Sequence, residues 1–259
     1  MTRWTAAGLL VATAAFAQPA PRPGISISLA PPFIEKLARA NSSLTDAISL
    51  TNNSDVPVMV SVDFADFQVN ATGEVEEQPS GSDPTSLAPY IRINPLKLRV
   101  PAQGRAFFRY SVQMPAEFKQ LRTQIFFSST PIVPNAPNQV LFVPRMGVPL
   151  YVENLKARPA DLKVSQVRWS RTGDQLLMTM NVRNDGERNI RPRGTVEVRS
   201  ADRKFTKTFA FNSGNEPVLP GQQHEWTQSF RPVFGGDLSI RMRFETSPRA
   251  SFEQQYRVP

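Results

Sequence analysis

Residues Val56, Val58, Val60, Val62 and Phe64 alternate with their neighbours over one continuous run. Successive side chains of a strand point to opposite faces, so this run builds a half-buried strand; a helix needs its apolar residues three or four apart. The period of two recurs at Ile25, Ile27 and Leu29, at Leu44 to Leu50, at Ile91, Ile93, Leu96, Leu98 and Val100, at Ala106 to Val112 and at Gln124 to Ser128. Pro95 marks a bulge or an edge in the run from Ile91 to Val100. Thr51 to Asp55, Gln78 to Pro89 and Pro101 to Gly104 are the turn-forming clusters between them.

The chain holds 24 prolines and 13 glycines and has no helical period long enough for a substantial helix. It therefore reads as all-β, which excludes an α/β enzyme. Its first half accommodates about seven strands at the turn spacing of a sandwich. Leu162 to Trp169, Leu176 to Val182, Thr195 to Val198, Phe205 to Phe211, Glu225 to Phe230, Leu238 to Phe244 and Phe252 to Val258 form a similar second set after a linker, Glu153 to Pro159. The pattern predicts two consecutive β-sandwiches. Between them Asn138 to Glu153 reads as one long strand, apolar on both faces in its first part, and such a strand needs a partner on each side.

Arg3, the uncharged run Thr5 to Phe16 and Ala15-Phe16-Ala17 have the order of a cleaved secretory signal. The mature protein is expected to start at Gln18 and to be exported, with no later stretch reaching the roughly 20 apolar residues a membrane-spanning helix requires. With no cysteine, disulfides and thiolate chemistry are excluded.

Residues 18–154 carry 11 Lys+Arg and 11 Asp+Glu, whereas residues 155–259 carry 18 and 11. The net charge of +8 thus lies almost entirely in the second half, and an anionic partner is expected there, against the alternative of a solvated basic face. Arg183, Arg188, Arg191, Arg193 and Arg199 gather around Asn184-Asp185-Gly186. Few aromatics accompany them, so nucleic acid is not expected, and the cluster reads as a solvated turn first and an acidic or membrane contact second.

No catalytic, metal or cofactor site is expected. His224 is the only histidine and looks like strand entry. Asp63 and Asp66 could pair for acid–base work but read as solvated side chains, and Gly235-Gly236 is too little for a phosphate loop. Asn41, Asn52 and Asn70 begin triplets that fit glycosylation but read as turns.

Ile48-Ser-Leu-Thr-Asn-Asn-Ser54, Ile93-Asn-Pro-Leu-Lys-Leu-Arg-Val-Pro-Ala-Gln-Gly104 and Arg122-Thr-Gln-Ile-Phe-Phe127, followed by Val140 to Tyr151, stand in the order of the strands and turns of a known family. The chain resembles the periplasmic chaperones of the chaperone–usher pilus pathway over most of residues 24–152. The likeness is weaker at Pro217-Val-Leu-Pro-Gly221 and Gly235-Gly-Asp237. It implies two immunoglobulin-like sandwich domains, at 18–153 and 154–259 after a signal peptide at 1–17. It also implies pilin or fimbrial subunits and an outer-membrane usher as partners.

In that family the last strand of the first domain lends alternate apolar side chains to a subunit lacking its final strand. Here Val140, Phe142 and Pro144 are expected to face the client, and Leu141 and Val143 the core of their own domain. The family's carboxylate-binding arginine and lysine fall at Phe33 and Pro149, which cannot bind a carboxylate. Arg145 is the candidate substitute, with a solvated edge charge as its alternative reading; Arg92, Arg99 and Arg109 are further candidates. The rival function is an exported tandem immunoglobulin-like module that attaches to a surface polymer or another protein through its basic second half.

Overall fold

The computed structural model describes residues 24–70, 74–132, 143–212 and 215–259. The signal-like segment and Val140, Leu141 and Phe142 lie outside these residues.

The first sandwich runs β1 (Ile27–Ala30), β2 (Ile34–Ala38), β3 (Ser43–Asn52), β4 (Val58–Val69), β5 (Val75–Gln78), β6 (Ile91–Asn94), β7 (Lys97–Val100), β8 (Arg105–Gln113), β9 (Gln120–Pro131) and β10 (Arg145–Asn154). One sheet has the order β1-β3-β8-β6; the other has the order β2-β10-β9-β4-β5, with β7 also on β4. The expected strand through Pro95 is two strands in different sheets: β6 pairs with β8 and β7 with β4. Proline has no N–H for the ladder, so the crossing between sheets falls where a ladder bond is missing in any case.

The second sandwich runs β11 (Leu162–Thr172), β12 (Gln175–Asn184), β13 (Gly194–Ser200), β14 (Thr206–Phe211), β15 (Gln223–Phe230), β16 (Leu238–Ser247) and β17 (Ala250–Val258). Its sheets are β11-β12-β15 and β14-β13-β16-β17. Both halves are immunoglobulin-like sandwiches, and the regular elements of the described residues are all strands apart from the short 3-10 turn Ala88–Tyr90.

Each sandwich buries the apolar face that its alternating strands supply. In the first, Ile48, Leu50, Val58, Val60, Phe108, Ile125 and Phe127 meet Val148, Leu150 and Val152 from β10. Phe108 and Phe127 contact edge to face at 5.1 Å between centroids, a geometry that adds about 1 kcal/mol beyond burial. In the second, Leu176, Met178, Met180 and Val182 meet Val196, Val198, Ile240, Met242 and Phe244.

A buried asparagine closes the same corner of each sandwich. Asn52 Nδ2 donates to the carbonyls of Val56 and Pro101, both at 2.9 Å, and its Oδ1 accepts from the Ser54 amide at 3.0 Å. Asn184 Nδ2 donates to the carbonyls of Arg188 and Val218 at 2.8 and 3.0 Å, and its Oδ1 accepts from the amides of Gly186 and Asp161. Both side chains are fully buried, which makes Asn52 a turn staple and closes it to glycosylation.

Candidate functional site

The strand β10 enters the core beside β9 and leaves it beside β2. Its antiparallel register with β9 runs without a shift from Arg145↔Ser128 to Glu153↔Gln120. Its parallel pairing with β2 covers only Leu150↔Ile34 to Asn154↔Ala38. Over Arg145 to Pro149, therefore, no strand among the described residues pairs with β10 on the side away from β9.

Which main-chain groups face that open side follows from one bond. The Ser129 amide donates to the Pro144 carbonyl at 3.0 Å, so Pro144, Met146 and Val148 direct their main-chain groups at β9. The alternation of an antiparallel ladder then turns those of Arg145, Gly147 and Pro149 outwards. Arg145 and Gly147 each present an N–H and a carbonyl; Pro149 presents a carbonyl alone.

The side chains follow the same alternation. Val148, Leu150 and Val152 are buried in the core. Continuing towards the N-terminal end of the strand, Met146 is 36% exposed and Pro144 half-buried, so this apolar row emerges from the core at the open end. Pro144 is thus on the face that looks into the sandwich further along the strand. Val143, expected to face the core, is instead 43% exposed. Val143 therefore does not share the face that enters the core, because that face has the parity of Val148 and Leu150. Val140 and Phe142 lie outside the described residues.

Arg145 is paired on the outer face of its sheet. Its guanidinium donates to both oxygens of Glu77 at 2.7 and 3.0 Å and to Asp63 at 2.7 Å, with Cζ 3.3 Å from the ring centroid of Phe126. The hydrogen bond to Glu77 is the largest of the interactions holding its pKa above the ordinary arginine value. The guanidinium that was the candidate carboxylate anchor is thus already held by two carboxylates of its own sheet and by the Phe126 ring. Arg92 and Arg109 lie on the other sheet, in β6 and β8, and Arg99 lies in β7.

Below the open edge, the second sandwich meets the first through Glu187 to Arg191 and through Leu219. Asn189 donates from its main chain to Glu153 Oε1 at 2.8 Å and from Nδ2 to Glu35 Oε1 at 2.6 Å, while Gln120 Nε2 donates to Glu153 and to Asn189 Oδ1, each at 3.2 Å. Arg188 donates to the carbonyls of Asn154 and Leu155, and Lys119 pairs with Glu187 at 2.8 Å. Burial pushes the Glu153 carboxyl above the usual range; the hydrogen bond from Lys119 is the largest factor drawing Glu187 down to about 2.

Arg191 completes the junction. Its side chain is 9% exposed, donates to Glu35 Oε1 at 2.7 Å and to the Asn215 carbonyl, and lies 4.1 Å from the ring centroid of Phe33. Phe67, Tyr151 and Leu219 form a small apolar cluster beside it. Arg188 and Arg191 are thus junction residues, a correction for these two of the five arginines that read as a solvated turn. The signal in the sequence is that Arg191 stands between Ile190 and Pro192, where a solvated turn would be polar on both sides.

Asp66 and His224 are both buried. Asp66 is 1% exposed and accepts from Ser86 Oγ at 2.7 Å and the Asp83 amide at 3.1 Å, so it holds a loop where a solvated carboxylate was expected. His224 is buried beside Trp226, its pKa lowered by desolvation. Among the described residues no three metal-ligating side chains come together, and no helix is long and apolar enough to cross a membrane.

No family model matches the chain, and no curated protein matches it in sequence. Among solved structures it is similar to the class 5 fimbriae chaperone CfaA, with 12% identity and a TM-score of 0.47 over 90% of this chain and 100% of that one. It is similar to the YadV chaperone at 10% identity and a TM-score of 0.48, over 90% and 99% of the two chains. A third is from the CsuC–CsuE chaperone–tip adhesion subunit pre-assembly complex of Acinetobacter baumannii, at 11% identity and a TM-score of 0.46, covering 90% and 97%.

Proposed function

We propose that this chain is a periplasmic, non-enzymatic chaperone that holds incomplete pilus or fimbrial subunits by strand addition along β10 and delivers them to an outer-membrane usher. The observation that supports this reading most is the open edge over Arg145 to Pro149, which lies beside an apolar row emerging from the core. An exposed edge of this kind pairs with any available strand and aggregates unless something covers it. A subunit missing its final strand supplies the complement: its main chain meets the outward groups of Arg145, Gly147 and Pro149, and its groove takes apolar side chains.

In this reading Met146 and Pro144 form the described part of the client-binding row, and Phe142 and Val140 continue it at the same parity. The donor module is residues 18–153 and the second sandwich 154–259, after a cleaved signal at 1–17. Carboxylate anchoring is no part of the proposal.

The test is co-expression of a candidate pilus subunit with the wild type and with Met146→Asp and Phe142→Asp. Wild-type protection of the subunit from proteolysis, lost in both variants, is the expected result. A subunit equally protected by all three proteins, or by none, overturns strand donation through this row.

A further inference from the structure

The sheet β1-β3-β8-β6 presents an outer face unlike the rest of its sandwich. Its four strands contain a single carboxylate, Asp46. That residue lies at Asp46↔Tyr110, in register with a buried tyrosine, and is tied to Lys36 of the other sheet at 2.6 Å. The outward positions are Arg105, Phe107, Arg109, Ser111 and Gln113 on β8, Arg92 and Asn94 on β6, and small or hydroxylated residues on β1 and β3. The first half of the chain is electrically balanced as a whole, yet this face carries three arginines and no acid.

None of the three pairs with a carboxylate among the described residues. Arg105 donates to Ser49 Oγ at 2.9 Å and lies over Phe107 with Cζ 5.1 Å from the ring centroid. Arg92 donates to the carbonyl of Ile91. Phe107 is 57% exposed at the middle of the row, an apolar ring that the fold leaves uncovered.

Arg105, Phe107 and Arg109 are alternate residues of one strand, so they repeat at about 6.6 Å, twice the rise per residue. An extended polypeptide laid along β8 repeats its own side chains at the same interval. We propose that this face docks an acidic partner protein, through an extended segment with an apolar side chain flanked at the second residue on either side by carboxylates. The apolar side chain covers Phe107 while the carboxylates meet Arg105 and Arg109. Arg92 widens the cationic field that guides approach. This surface is on the sheet opposite β10 and is independent of strand donation.

The probe is a labelled synthetic peptide built from the repeat Glu-Thr-Leu-Thr-Glu, with a scrambled peptide of identical composition as control, titrated against the intact mature protein at low salt. Binding of the ordered repeat that weakens about tenfold or more in Phe107→Ser and in Arg105→Ser/Arg109→Ser, and is unchanged in Arg241→Ser on the second sandwich, is the expected result. The substituted side chains are exposed, and unchanged unfolding midpoints verify that the variants fold. No binding, equal binding by the scrambled peptide, or equal binding by the variants overturns the proposal. So does cosedimentation with phosphatidylglycerol vesicles that depends on these arginines while the peptide does not bind, since that outcome makes the face a lipid contact.

Discussion

The guanidinium of Arg191, on the second sandwich, lies 4.1 Å from the ring centroid of Phe33, on the first. Glu35, two residues beyond Phe33, accepts from Arg191 Nε at 2.7 Å, so ring and carboxylate hold one side chain in two directions. The relation fixes the base of the first sheet against the second sandwich, directly below the strand proposed to receive a client.

Arg191→Ala removes both contacts and is expected to destabilise the junction by about 1–2 kcal/mol. Small-angle scattering should show a broader range of interdomain distances. Arg191→Lys is expected not to restore the wild-type profile, because an ammonium cannot lie flat on a ring and donate along its plane. An alanine variant with the wild-type profile refutes this role.

Asn52→Ala and Asn184→Ala each leave buried carbonyls and amides without partners. Each is expected to cost its own sandwich about 2 kcal/mol or more, read as a lower urea midpoint with unchanged slope.

The buried carboxyl of Glu153 has a pKa raised above its ordinary 4.5. Its neutral form is favoured in the folded protein, so its contribution to stability is fully present below pH 4.5 and is lost as pH rises through the folded value. Glu187, drawn down to about 2, acts in the opposite sense: its contribution is present above pH 4.5 and is lost as pH falls towards 2. Glu153→Gln should therefore raise the melting temperature at pH 7.5 and leave it near wild type at pH 4. A melting temperature lowered at pH 7.5 contradicts this assignment.

Arg145 joins the first residue of β10 to Glu77 on β5 across an exposed face. Arg145→Gln is expected to cost under about 1 kcal/mol, as exposed ion pairs do. Its signature is local: amides of Val75 to Gln78 exchange faster, and the difference shrinks at high salt.

Much of the fold was legible because alternation is a strong signal. The valines of β4 and the residues of β8 declare their buried faces, and turn residues mark where each strand ends. The short strand β2 was not legible, since Ile-Glu-Lys-Leu-Ala is charged and short and becomes a strand by pairing with β10. The face of Val143 was not legible for a physical reason: Val140 to Val143 is apolar at every position, and a continuous run has no parity until a neighbouring strand fixes it. Arg188 and Arg191 were misplaced because a charge count does not distinguish an arginine in water from one laid on a ring between two domains.

The central claim is that β10 accepts a strand along Arg145 to Pro149, and residue-resolved hydrogen exchange tests it most directly. In the free protein the amides of Met146 and Val148, bonded to β9, should exchange slowly, and those of Arg145 and Gly147 should exchange fast. On adding a pilus subunit that lacks its final strand, the account predicts strong protection of Arg145 and Gly147 with little change at Met146 and Val148; unchanged exchange of Arg145 and Gly147 in a complex that has formed would contradict it.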